Sequence, residues 1–476
     1  MMFIPEGRTI HFHLLGICGT AMASCAAMLK DSGHKVTGSD NNAYPPMSDF
    51  LRERGIEISG GYSPENVIPK PDIVVVGNSV SRGNPELEEV LSKKLFYTSM
   101  PEVIREFLIR GKRSIVVAGT HGKTTTSSLT AWALEKAGLS PGFLIGGMPL
   151  NFSMGCRRGT GKYFVIEGDE YDTAYFDKRA KFFHYLPDVL IINNIEFDHA
   201  DIYRSLDEIL LSFRRLINIV PGNGTIIINS DDKNAASLIP FASERSKTIT
   251  CGFSGDPDYR ISETEYSPSQ TFFRFSGRGI DHTFSIPLLG RHNVKNAAIC
   301  AAVCLEEGSG SGLLDEAFKE YIGIKKRMEL KGIEAGIRVY DDFAHHPTAV
   351  NTTLEGIRPF TEGKLWAVFE PRSNSSRRNI HKAAFASSFE SADKVIIQEV
   401  SDYKNIPEEE RFDPHAAAEE IRHNNRDACT AAGPEDIAKI VSSGASEGDV
   451  VVCMSNGDFG NVHNLILESL RQSSKG

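Results

Sequence analysis

Gly119-Thr120-His121-Gly122-Lys123-Thr124-Thr125-Thr126 is the stretch whose residue types and spacing most directly specify chemistry. It follows the apolar run Ser114 to Ala118 and opens a helical pattern from Ser127 to Lys136. A strand that turns through glycines into a helix N-terminus converges backbone N–H donors on one point, and the helix dipole adds positive charge there. Such a turn holds phosphates. Lys123 can reach the outer ones as a point charge, and the Thr124 hydroxyl sits where a magnesium ligand is needed. The common phosphate loop carries glycine at the position of Val117, so this is a shortened variant. Gly119 to Thr125 are therefore expected to bind ATP with Mg2+.

Two later strand ends carry the groups such a site needs. Ile166-Glu167-Gly168-Asp169-Glu170 and Asn193-Asn194-Ile195-Glu196-Phe197-Asp198-His199 close apolar runs with carboxylates and a histidine. Parallel strands would bring Glu167 and His199 beside Thr124 to complete a magnesium shell, and Lys123, Glu167 and His199 form the expected catalytic set. A second glycine turn, Gly16-Ile17-Cys18-Gly19-Thr20-Ala21-Met22, resembles a dinucleotide fingerprint without its third glycine. Asp40, in Gly38-Ser39-Asp40, follows the next strand where such folds contact a ribose, and together they point to a nucleotide or nucleotide-sugar. Leu289 to Ala297 puts a donor-rich turn at a helix start, suited to an adenine edge or a phosphate. Lys325 to Glu329 and Asp341 to Pro347 flank one strand with basic, acidic and histidine groups, expected to face ATP across a cleft.

These residues need a scaffold of strand ends. Ile10 to Leu15, Lys35 to Gly38 and Asp72 to Gly77 read as strands, with helical patterns over Ala21 to Ser32 and Pro85 to Lys94. Ile115 to Ala118, Tyr163 to Glu167, Val189 to Asn193 and Thr225 to Asn229 form a second set, and Val339 to Asp342, Leu365 to Phe369, Lys394 to Gln398 and Asp449 to Met454 a third. Alternating strands and helices predict parallel sheets with ligands at strand C-terminal ends. Asp258 to Pro287 alternates in short runs, which suggests an antiparallel insertion.

The 476 residues suffice for roughly three domains at the usual ~150 each. With 62 acidic against 52 basic residues and a net charge of −10, no basic field favours nucleic acid or an anionic membrane surface. The eight cysteines are scattered without CxxC pairs, as expected of buried thiols in a reducing compartment. No stretch reads as a signal peptide or a membrane span, so a cytoplasmic protein is expected.

In order and over essentially the whole chain, the stretches GICGTAM, AGTHGKTTT, the Glu167 strand end, NNIEFDH, GRHNVKNA and DDFAHHP resemble the Mur ligase family of ATP-dependent amide-forming enzymes. The segments Tyr44 to Ser48, Gly77-Asn78, Arg82 to Pro85, Tyr171-Asp172 with Phe176 to Arg179, and Glu370 to Asn374 are similar to its peptide-recycling members, and the His-Arg-Tyr pattern of the alanine-adding members is absent after Pro371. Several family members use a carbamylated lysine where this chain has Arg214, so the resemblance does not extend to that metal bridge.

The resemblance implies an α/β protein of three domains: a Rossmann-like UDP-sugar domain over residues 1–110, a central P-loop ATPase domain with a mostly parallel sheet over 111–323, and a C-terminal Rossmann-like domain over 324–476 that meets the amino substrate and the nucleotide. It implies that Gly16, Cys18, Gly19, Thr20, Ala21, Met22, Ser39, Asp40 and Asn78 bind the UDP-sugar, that Asn293, Arg327, Asp342 and His345 join the loop on ATP, and that Arg372 and Asn374 hold the acceptor. The implied reaction joins the lactyl carboxylate of UDP-N-acetylmuramate to the amine of the murein tripeptide L-alanyl-γ-D-glutamyl-meso-diaminopimelate through an acyl phosphate. The rival readings are ligation of free L-alanine to the same donor, a nucleotide-gated binding protein without turnover, and a folylpolyglutamate synthetase, which normally has no N-terminal UDP domain.

Overall fold

The computed structural model describes residues 8–197, 202–267, 270–373, 376–379, 382–400, 402–403 and 406–473. They group into two compact units, one built from residues 1–262, 274–284 and 295–321 and the other from 263–273, 285–294 and 322–476.

The first unit opens with β1 (His11–Leu15), β2 (Lys35–Asp40), β3 (Glu57–Gly60), β4 (Ile73–Val76) and β5 (Tyr97–Ser99). They form a parallel sheet in the order β3-β2-β1-β4-β5. Parallel strands covered on both faces read as unbroken apolar runs, and Ile73-Val74-Val75-Val76 is wholly buried. The strand order reverses between β1 and β4, so their C-terminal ends bound a crevice of the kind that takes ligands. Beneath it lies a buried polar knot. Glu86 Oε1 lies 2.6 Å from His13 Nε2 and accepts from Ser39 Oγ at 2.9 Å, while Oε2 accepts from Asn66 Nδ2 at 2.7 Å and Ser63 N at 3.3 Å. Five hydrogen-bonding groups thus fix one another in a place where an unpaired one would be costly.

The chain continues with β6 (Arg113–Ala118), β7 (Gly142–Leu144), β8 (Cys156–Arg157), β9 (Tyr163–Gly168), the hairpin β10 (Asp172–Ala174) and β11 (Asp177–Ala180), β12 (Val189–Ile192), β13 (Thr225–Asn229), β14 (Lys247–Gly252), β15 (Tyr259–Tyr266), β16 (Thr271–Gly277) and β17 (Ile280–Ile286). All but the hairpin join a ten-stranded sheet in the order β17-β16-β15-β14-β13-β12-β6-β9-β7-β8. Asp258 to Pro287 supplies β15, β16 and β17 in consecutive order at one edge of that sheet; Arg278 and Gly279 alone join β16 to β17, as an antiparallel hairpin requires, while β15 pairs parallel with β14. β6 lies between β9 and β12, which puts the ends of all three strands side by side.

The second unit carries β18 (Glu329–Glu334), β19 (Ile337–Asp342), β20 (Leu365–Phe369), β21 (Lys394–Gln398), β22 (Asp427–Ala431) and β23 (Val450–Met454), in the order β18-β19-β23-β20-β21-β22. Only β18 runs antiparallel to its neighbour. Trp366 is buried, and its indole N–H donates to Asp449 Oδ2 at 2.9 Å.

Asp341 in β19 is 5% exposed, and burial pushes its carboxyl pKa up to about 6, against the pull of Lys326 and Lys331. The folded state therefore holds this proton at pH values where the unfolded chain has released it, so stability falls as pH rises from about 4 to 6. Replacing Asp341 by Asn should remove that decline, worth about 2–3 kcal/mol between those limits, in urea midpoints measured across the range.

All eight cysteines are free thiols, six of them buried. Among the described residues no helix is long and apolar enough to cross a membrane.

Candidate functional site

The phosphate loop joins β6 to the helix Lys123–Lys136, and its shape is set by two backbone positions. Gly119 has φ +130° and Gly122 φ +80°, conformations that side chains rarely adopt. A Cβ on Gly119 would lie 2.8 Å from Asn194 O, and one on Gly122 only 2.5 Å from Asn296 Oδ1. The asparagines after β12 brace the loop from behind: Asn194 Oδ1 accepts from His121 N at 2.7 Å, Asn194 O from Thr120 N at 3.0 Å, and Asn193 Nδ2 donates to Thr126 Oγ1 at 3.1 Å. Gly122 caps the helix without a side-chain acceptor, which leaves the first-turn N–H groups for a ligand. Replacing Gly122 by Ala adds left-handed strain of about 1–2 kcal/mol to the Asn296 clash. ATP affinity should fall tenfold or more by titration calorimetry, with helix content by circular dichroism unchanged.

Lys123 is turned back on its own loop. Its Nζ donates to Gly119 O at 2.6 Å, Thr120 O at 3.3 Å and Glu170 Oε2 at 3.0 Å. Burial lowers the ammonium pKa, but Glu170, Asp169 and Glu167 outweigh it, so the pKa stands above its ordinary value and the charge persists at neutral pH. To reach a phosphate the side chain must exchange these partners, a demand that Glu170 creates and that the loop motif alone does not reveal. Thr124 Oγ1 donates to Glu167 Oε2 at 3.2 Å, while Glu167 Oε1 accepts from Gly146 N at 2.6 Å. A hydroxyl beside a carboxylate is the oxygen donor set of a hard divalent cation, so Thr124 and Glu167 fit Mg2+. His199 lies outside the described residues. Arg214 is exposed on the helix Leu206–Ile217.

At the first glycine turn, Gly16 N donates to Ser39 O at 2.9 Å and Cys18 N to Asp40 Oδ2 at 2.9 Å. Asp40 Oδ1 accepts from Asn42 N at 2.8 Å, so this carboxylate organises the turn. Gly19, uncapped, precedes the helix Thr20–Asp31, with Thr20, Ala21 and Asn78 exposed and the Met22 and Ser39 side chains buried. Sequence reasoning passed over Tyr62, whose hydroxyl would be 3.7 Å from a Cβ on Gly16.

In the second unit, Asn293 Nδ2 donates to Leu289 O at 2.8 Å. Asp342 is buried, its oxygens accepting from Met328 N and Ala344 N at 2.8 Å each and from Thr353 Oγ1 at 3.2 Å. Burial raises its pKa even so, against Arg327 and these hydrogen bonds. The Arg327 guanidinium lies 4.9 Å from the Phe343 ring centre, and Phe343 meets His345 edge to face at 5.4 Å. His292, buried, is pulled down to about 4 by desolvation and then by Arg327, so it is neutral at pH 7. Arg372 follows β20 and donates to Asp458 Oδ1 at 2.9 Å, with Glu370 at 3.8 Å. Asn374 lies outside the described residues.

Three protein-family models match consecutive stretches: the Mur ligase family catalytic domain over residues 11–112, the Mur ligase middle domain over 117–304 and the Mur ligase glutamate ligase domain over 326–457. The UDP-N-acetylmuramate–L-alanyl-γ-D-glutamyl-meso-2,6-diaminoheptandioate ligase of Escherichia coli K12 is 38% identical over 468 residues, 98% of this chain and 99% of that protein. A UDP-N-acetylmuramate–L-alanine ligase of Endomicrobium trichonymphae is 33% identical over 459 residues, 96% of this chain and 97% of its own. Among solved structures, a murein peptide ligase of Psychrobacter arcticus has 36% identity and a TM-score of 0.71, covering 97% of this chain and 99% of that one.

Proposed function

This chain belongs to the Mur ligase family, and from that premise we propose that it joins the lactyl carboxylate of UDP-N-acetylmuramate to the amine of L-alanyl-γ-D-glutamyl-meso-diaminopimelate, with ATP and Mg2+, in peptidoglycan recycling. The observation that carries the ligase chemistry is the Lys123, Thr124 and Glu167 cluster at the braced phosphate loop. The end-to-end identity with the tripeptide-adding relative supports the acceptor. Residues 1–110 serve the UDP-sugar through Gly16, Cys18, Gly19, Thr20, Ala21, Met22, Ser39, Asp40 and Asn78. Residues 111–323 serve ATP, and residues 324–476 serve the acceptor, with Arg372 and Asn374 for a carboxylate and Arg327, Asp342 and His345 for nucleotide contacts. Asn293 adds a contact to ATP, and the protein works in the cytoplasm.

A carboxylate in water is a poor electrophile until the γ-phosphoryl of ATP converts it to an acyl phosphate, which the amine then attacks with loss of phosphate. Lys123 disperses charge on the transferring group once it leaves Glu170, and the loop N–H groups fix the phosphates. Thr124 and Glu167, with His199, would hold Mg2+, which would supply further neutralisation of phosphate charge. Exclusion of water protects the acyl phosphate from hydrolysis.

Measuring ADP release with UDP-N-acetylmuramate and either tripeptide or free L-alanine separates the readings. Turnover with tripeptide and little with alanine is expected, whereas robust alanine ligation without tripeptide reaction would overturn the acceptor. Hydroxylamine trapping of the activated muramate would exclude a binding protein without turnover.

A further inference from the structure

Tyr62 stands at the mouth of the crevice between β1 and β4 without a task in the chemistry above. Its ring packs against the apolar cluster of Leu15, Val76 and Val80, and its hydroxyl faces the glycine turn. A Cβ on Gly16 would lie 3.7 Å from Tyr62 Oη and 3.7 Å from Ser79 Oγ, so two hydroxyls from different loops converge on that turn. Among the described residues the Tyr62 hydroxyl makes no hydrogen bond.

The loop that presents Tyr62 is tied down on both sides. Gly61 N donates to Asp40 O at 2.8 Å, and Asn66 Nδ2 donates to Gly61 O at 3.0 Å. Glu86 Oε2 holds Ser63 N and Asn66 Nδ2 while its Oε1 holds Ser39 Oγ, so one buried carboxylate fixes the Tyr62 loop relative to the strand that supports the turn. Side chains this firmly positioned with an unused donor are suited to a ligand rather than to packing.

The chemistry of the ligand follows from the surroundings. Burial, followed by Asp40, Glu86 and Cys18, pushes the phenol up to about 12, so it stays protonated and can only gain by donating to an acceptor. Asp40 is already committed to Cys18 N and Asn42 N, and the uncapped helix beginning at Thr20 favours an anion at the same turn. A diphosphate brings several strong acceptor oxygens to that place.

We propose that the Tyr62 hydroxyl donates a hydrogen bond to the diphosphate of the UDP-sugar, with Glu86 as the positioning residue that holds its loop. The assignment rests on reading the first domain as the UDP-sugar site. Tyr62→Phe keeps the ring packing and removes only the donor. Dissociation constants for UDP-N-acetylmuramate and for UDP should both rise about tenfold or more, and that for uridine should not change. Glu86→Gln should weaken UDP binding in the wild-type background and add little in the Tyr62→Phe background, a coupling that a merely structural role would not give. Wild type that binds UDP while Tyr62→Phe binds it equally well overturns this proposal alone. Loss confined to the UDP-sugar, with UDP unaffected, also overturns it by placing the hydroxyl on the sugar. Failure of the wild type to bind UDP overturns the donor-substrate reading, and this proposal with it.

Discussion

Lys123→Ala should lower kcat for ADP release by at least about a thousandfold while UDP-N-acetylmuramate still binds with wild-type affinity. Phosphoryl transfer leaves the protein little covalent work, so a fixed cation at the outer phosphates supplies much of what it can contribute. The first glycine turn, proposed for the UDP-sugar, belongs to a different sheet, so donor binding is a clean control. One complication follows from the ion pair at 3.0 Å: Glu170 is only 4% exposed, and removing Lys123 takes away a buried counter-charge. A stability loss of about 1–3 kcal/mol is expected from that alone. Lys123→Ala with Glu170→Gln should regain the thermal midpoint but not turnover, which separates lost folding from lost catalysis. Turnover close to wild type in either variant would remove Lys123 from the mechanism.

The loop was legible because its signal is local: Gly119, Gly122, Lys123 and Thr124 sit within six residues and their conformational demands are written in residue type. What braces it was not legible. Asn194 is 73 residues from His121 and Glu170 is 47 from Lys123, so these partnerships exist only once β6, β9 and β12 are adjacent, and Asn296, 170 residues from Thr126, arrives on the helix Arg291–Glu306. The same limit applies to strands. Wholly apolar runs such as Val189–Ile192 announce central parallel strands, whereas β18 and β22 stand at sheet edges with mixed or small residues and pass unnoticed. In Asp258 to Pro287 the alternation marks half-covered strands of a sequential edge, whereas the parallel docking of β15 on β14 has no local signal. Tyr62 escaped because an aromatic after a glycine usually packs, and only the approach of its hydroxyl to Gly16 shows another use.

Glu167→Gln should shift the Mg2+ concentration for half-maximal turnover upward at least tenfold and cut kcat by about a hundredfold or more. The substitution preserves side-chain shape and retains a carbonyl oxygen for Gly146 N, so the end of β9 and its 2.6 Å hydrogen bond should survive. Only the anionic charge beside Thr124 is lost, and a neutral amide is a much poorer ligand for a hard cation. Thermal stability should fall less than in Lys123→Ala, because the amide can keep the hydrogen bonds to Thr124 and Gly146. Electron paramagnetic resonance with Mn2+ and a non-hydrolysable ATP analogue reads the metal site without turnover and should show weakened cation binding. Thr124→Val should move the same readout in the same direction, since it removes the hydroxyl 3.2 Å away. Unchanged cation affinity in both variants would take the metal away from this pair and leave Glu167 with a structural role at Gly146.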